Sequence, residues 1–238
     1  GATSVLNAAS EASSAVARAR PVASRDAQQR LSAKPVETPM LSAIGYAWAR
    51  LIGLLLLGYA VWLPVSARLW SYNRLSILIG VLLVLLLNVG LLAWLGRAHR
   101  ASPDADDSFD FGASLRNGYG VLLANLMAQR QHILLIEGVF LIAFALMTLL
   151  RMFNPDLWQP ILGGEKPFEF GFLNAILRSP VMPPYDPFYS GNTINYYYYG
   201  LFLASLPIKA TGIAPAVGFN LAIATFYALT FIGGFAVV

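Results

Sequence analysis

Residues 163–200 read GGEKPFEFGFLNAILRSPVMPPYDPFYSGNTINYYYYG and hold most of the side chains in the apolar half of this sequence that could do chemistry. Glu165, Glu169 and Asp186 are carboxylates that can take a proton from an acceptor hydroxyl or hold a divalent cation on a phosphate. Lys166 and Arg178 can neutralise such a phosphate, the arginine in bidentate fashion. Tyr196, Tyr197, Tyr198 and Tyr199 follow one another, more aromatic residues than membrane anchoring needs. The same residues also fit a plainer reading, in which Glu165 and Lys166 are loop charges and Glu169 and Arg178 form the wet side of a surface helix. One further carboxylate, Glu137, sits inside an apolar run, where an ionisable group is costly and marks a functional hypothesis. Its plainer reading is a pairing with Arg130 or His132 near the helix end.

The elements that must position these groups belong to a membrane protein. Of 238 residues, 57% are hydrophobic and 12% charged, and mean hydropathy is +0.61. That charge fraction is about half the usual one for a soluble domain. Apolar runs near the ~20 residues needed to cross a bilayer recur, whereas the alternation of a membrane barrel is absent. The expected fold is all-α, a polytopic helical membrane protein with about five transmembrane helices and an amphipathic surface helix in an outer loop. No cysteine is present, so disulfides and thiolate chemistry are excluded within this sequence, and no cluster with metal-ligand spacing stands out. The net charge of +4 belongs to arginines flanking the spans and not to nucleic-acid binding.

In order, residues 1–43 form a polar Ala/Ser/Arg-rich tail and residues 44–95 a transmembrane hairpin. Residues 96–131 form a linker with an acidic patch (Asp104, Asp106, Asp107, Asp110) and a short apolar segment, 119–127, placed at the interface. Residues 132–238 hold a spanning helix, the loop 153–194 and two further spans over 195–211 and 213–238. The sequence stops inside an apolar run, so a longer protein is expected. Within the loop, Phe168, Phe172, Leu173, Ile176 and Leu177 recur every three or four residues and predict the surface helix, which Ser179-Pro180 ends. The amino-terminal side collects Arg50, Arg97, Arg100, Arg116, Arg130 and Lys209 besides the basic tail, against Arg68, Arg74, Arg151, Lys166 and Arg178 on the other. The positive-inside rule then puts the chain in the cytoplasmic (plasma) membrane with its amino terminus in the cytoplasm and loop 153–194 outside.

The segments EKPFEFGFLNAILRS, PPYDPFYSG and INYYYYG resemble the Chlor_Arch_YYY membrane-protein family, which is named for its tyrosine run and has no assigned activity. The resemblance covers about residues 157–219, with a GFN at Gly218 to Asn220, and Glu169 stands where the family's EKPxD pattern has aspartate. The order of span, acidic loop motif, surface helix, prolines and aromatic re-entry is also similar to GT-C fold glycosyltransferases that use polyprenyl-phosphate sugars. That resemblance implies Glu165 as the base, with Glu169 or Asp186 as second choice, and Lys166 or Arg178 on the lipid phosphate. A divalent cation and a bound lipid are the cofactors it leaves open. The alternative is a non-catalytic accessory subunit of a larger energy-transducing or photosynthetic membrane complex, with other membrane subunits as partners. A transporter fits less well, because only Asn88 and Glu137 interrupt the early spans.

Overall fold

The computed structural model describes residues 43–98, 110–157 and 164–237. The tail up to residue 42 and Asp104, Asp106 and Asp107 of the acidic patch lie outside the described residues. The described chain forms seven helices: α1 (Ala43–Ser66), α2 (Arg74–Ala98), α3 (Phe111–Ala128), α4 (Arg130–Phe153), α5 (Lys166–Arg178), α6 (Tyr199–Thr211) and α7 (Pro215–Val237). Among the described residues extended pairing is limited to one isolated bridge, Tyr185 with Thr193. The all-α polytopic membrane fold is therefore what the sequence specifies.

Four helices, α1, α2, α4 and α7, are long and apolar enough to cross a membrane. The fourth of the five expected spans is not among them. The run 195–211 yields only the 13 residues of α6, about 20 Å of helix, which falls short of a bilayer's hydrocarbon core. Instead, α6 buries Phe202, Leu203, Ala204, Ser205, Leu206 and Ile208 among α1, α2, α5 and α7. A helix apolar all round is either a span or a buried core element, and here the neighbours make it the second.

The spans run alternately up and down. Val61 and Leu57 of α1 meet Gly80 of α2, with the hairpin turned by residues 67–73. Along α4 and α7, Arg151 bonds Asn220 at one end, while Ile136 and Ile232 share a core cluster with Ala47 at the other. Residues 66, 74, 151 and 215 thus lie at one end of the bundle, and α5 and α6 pack there too. Lys209 belongs to this end as well, since Arg74 Nε donates to its carbonyl and its Nζ donates to the Leu177 carbonyl. Lys209 therefore lies at the end opposite the one expected for it beside Arg50, because α6 is not a span.

The short apolar segment 119–127 is the second half of an 18-residue helix, α3. Asp110, expected on a solvated acidic face, caps that helix: its carboxylate accepts from Ala113 N at 3.1 Å. Helices α3 and α2 cross at backbone contact. A methyl group on Gly96 would stand 1.8 Å from the Ser114 carbonyl oxygen, and one on Gly118 would stand 1.9 Å from that of Leu92. Small residues at a crossing are how apolar helices gain packing energy where lipid supplies no hydrophobic drive.

Candidate functional site

Helix α5 begins at Lys166, two residues before its apolar spacing indicates, because Lys166-Pro167 supplies a favourable start. Its buried face is Phe170, Phe172, Leu173 and Ile176, set against α6 and α7. Burying each such side chain contributes about 1.5–3 kcal/mol, enough to fix so short a helix. Gly164 and Gly191 take positive φ (57° and 82°) at the turns that bracket the excursion.

The fixed helix places Glu165 at its N-cap position and Glu169 one turn on, where Glu169 N donates to the Glu165 carbonyl at 2.9 Å. Glu165 is exposed, and Lys166 and Glu169 are half-buried. Burial, and then the neighbouring Glu165 charge, raise the Glu169 carboxyl above the usual carboxylate range. Tyr196 feels both carboxylates. Its hydroxyl donates to Tyr197 at 2.7 Å, and that bond, with burial and the Tyr197, Glu165 and Glu169 charges adding, pushes it up to about 12. The floor of this corner is aromatic: Phe168 lies 4.3 Å from Phe172, 4.9 Å from Phe188 and 5.8 Å from Tyr196, centroid to centroid. Tyr197, 80% exposed, stacks on Tyr196 at 3.9 Å and forms the rim. No third His, Asp or Glu joins the two glutamates into a metal-binding group among the described residues.

The other expected site residues go elsewhere. Asp186 is taken up locally, accepting from Phe188 N at 2.8 Å and Tyr189 N at 3.2 Å to stiffen its own turn. Arg178 is exposed at the far end of α5, roughly 20 Å along the helix from Glu165. One phosphate therefore cannot meet Arg178 and the glutamates together, which leaves Lys166 as the cation of this corner.

The tyrosines do not open a spanning helix. Only Tyr199 is helical, so the four rings are not carried on one helix. They divide into two pairs. Tyr196 and Tyr197 join the glutamates, while Tyr198 and Tyr199 turn to α1. Trp62 Nε1 donates to the Tyr198 hydroxyl at 2.9 Å, and Tyr199 lies 5.2 Å from Tyr59 and 5.8 Å from Trp62. The Tyr199 hydroxyl is buried without a hydrogen-bond partner among the described residues.

Glu137 is accounted for structurally. Arg50 of α1 forms an ion pair with it, Tyr46 donates to the same carboxylate at 2.6 Å, and the Arg50 guanidinium covers the Phe140 ring at 4.4 Å. Its partner is neither Arg130 nor His132.

A residue that sequence reasoning treated only as a flanking charge is Arg151. It is 9% exposed, its Nε donates to Asn220 Oδ1 at 2.7 Å, and its Nη2 is buried without a partner among the described residues. The GFN motif around Asn220 was the signal, but 69 positions separate it from Arg151. Residues 56–238 match the family model described as "Uncharacterized membrane protein (DUF2298)". No curated protein and no solved structure matches the chain.

Proposed function

The chain belongs to the DUF2298 family of membrane proteins, and from that premise we propose that it forms the front part of a GT-C-like transferase whose base is Glu169. The observation that carries this reading is Glu169 itself: half-buried, raised in pKa by burial and by Glu165, and set beside Tyr196 above an aromatic floor. A carboxylate whose pKa is moved towards the working pH is a better base than an ordinary exposed one. Glu165 then acts through Glu169, a change of rank from the order the sequence suggests.

In the proposed step Glu169 accepts the proton of an acceptor hydroxyl, whose oxygen forms a bond to the anomeric carbon of a polyprenyl-phosphate sugar. The bond from that carbon to the phosphate oxygen breaks, the phosphate leaves with the electron pair beside Lys166, and the configuration inverts in one displacement. Tyr196 and Tyr197 offer ring faces to the sugar. The basic tail and Arg97, Arg116 and Arg130 support an orientation in the plasma membrane with the amino terminus cytoplasmic and this corner outside.

The test is transfer from a panel of radiolabelled polyprenyl-phosphate sugars by the full-length protein in membrane vesicles. Glu169→Gln abolishes transfer while the purified variant melts at or above the wild-type temperature. Transfer by Glu169→Gln at the wild-type rate, or no transfer by wild type from any donor, overturns the proposal. A second reading, an accessory subunit of a larger membrane complex, is favoured by α2, where Leu78, Leu82, Leu85, Leu86 and Trp94 are all exposed. Stoichiometric co-purification of other membrane chains, together with absence of transfer, selects it.

A further inference from the structure

An open cavity of about 590 Å³ lies away from the glutamates, with Arg74, Leu75, Leu177, Lys209, Ile213 and Pro215 on its wall. Among the described residues Arg74 and Lys209 are the charges on its wall, and no acidic side chain lines it. Each cation is held in place by one bond to a helix-terminal carbonyl: Arg74 Nε donates to Lys209 O at 3.1 Å, and Lys209 Nζ donates to Leu177 O at 2.8 Å. Lys209 also stands 4.2 Å from the centroid of the buried Tyr72 ring. A guanidinium has five N–H donors and an ammonium three, so both retain donors beyond these anchoring bonds. Burial lowers the Lys209 pKa, which means that the protonated amine gains from an anion placed beside it.

The cavity's position identifies the anion. Arg74 is the first residue of one candidate span and Pro215 the first of another, so the cations sit where two membrane crossings begin, at headgroup depth. The rest of the wall is apolar, with Leu75 62% exposed and Ile213 and Pro215 beside it. A pocket with two fixed cations at the bilayer boundary and an apolar wall running into the membrane matches a phosphate with acyl chains attached. We propose that this pocket binds the phosphate headgroup of an anionic membrane lipid, with Arg74 and Lys209 on the phosphate and the chains along Leu75, Ile213 and Pro215. It is separate from the proposed transfer site, because about 12 Å of helix lies between Glu169 and Leu177.

The experiment is native mass spectrometry of the purified, delipidated full-length protein titrated with dioctanoyl phosphatidylglycerol, dioctanoyl phosphatidylcholine or inorganic phosphate. Wild type is expected to retain phosphatidylglycerol about tenfold more tightly than phosphatidylcholine, whose phosphate is the same but carries a quaternary ammonium that Arg74 and Lys209 repel. Arg74→Gln and Lys209→Gln are each expected to remove that preference, and Arg74→Lys, which keeps the charge, to retain most of it. Lys209→Gln also removes the bond to Leu177, so the Arg74 pair decides the matter if the lysine variant does not fold. No preference for phosphatidylglycerol in wild type, an unchanged preference in Arg74→Gln, or full competition by inorganic phosphate at equal concentration overturns the proposal.

Discussion

Arg50 of α1 closes on Glu137 of α4, and Tyr46, one helical turn before Arg50, donates to the same carboxylate. Arg50 and Tyr46 both bond the one carboxylate inside two apolar helices, so removing one member leaves the others without that partner. Glu137→Gln or Arg50→Met is expected to lower stability by about 2 kcal/mol. The double variant Arg50→Met/Glu137→Met is expected to cost less than the sum of the two singles. Thermal melts of the detergent-solubilised variants measure this, and additive costs would show that the pair does not tie α1 to α4.

Tyr72 and Ser205 make an asymmetric pair. Ser205 Oγ donates to the Phe202 carbonyl at 2.6 Å, which leaves the Tyr72 hydroxyl, 2.6 Å away, as donor to Ser205. Burial raises the Tyr72 pKa, so the ring stays neutral and needs that acceptor. Ser205→Ala is therefore expected to cost about 1–3 kcal/mol, because it orphans a buried hydroxyl. Tyr72→Phe orphans nothing and is expected to cost under about 1 kcal/mol. Equal costs in a melt would contradict the assigned direction.

What the sequence made legible follows the range of the forces involved. Helix α5 was readable because Phe172 and Ile176 face one buried cluster and Phe170 and Leu173 a second, so that apolar residues repeat every three or four positions. Helix α6 was misread for a related reason: four neighbouring helices leave it no polar side, and composition does not distinguish a helix surrounded by protein from one surrounded by lipid. Long-range partners left no local trace. Glu137 pairs with a residue 87 positions away, whereas Arg130 and His132, the nearby candidates, offered spacing alone. The tyrosine run misled because its first three members lie before the helix, in chain pinned by the Tyr198 bond to Trp62.

The crossing of α2 and α3 gives a prediction about single methyl groups. Gly96→Ala pushes a carbon into the backbone of Ser114 and the amide of Gly118, neither of which can rotate away. A loss of about 1–3 kcal/mol is expected, the usual cost of overpacking. Gly90 lies on the same helix with nothing within 4 Å of an added Cβ. Gly90→Ala is expected to be neutral or to stabilise by up to about 1 kcal/mol through helix propensity. Comparable losses from both substitutions would mean that α2 and α3 do not meet at Gly96.

Glu169 predicts opposite responses of stability and transfer to one substitution. Its folded pKa is raised, so folding favours the protonated carboxyl. The contribution to stability is full below the unfolded pKa and is lost as pH rises through the folded one. At neutral pH the charge at Glu169 opposes folding, and Glu169→Gln is expected to melt no lower than wild type. Transfer runs the other way, because the base must be ionised: the rate falls as pH drops through the Glu169 pKa. Glu165 is the second cause of that raised value, so Glu165→Gln is expected to move the acidic limb to lower pH while transfer at neutral pH persists. A pH–rate profile of Glu165→Gln with its acidic limb unmoved would separate the two carboxylates and leave Glu169 without its tuning neighbour.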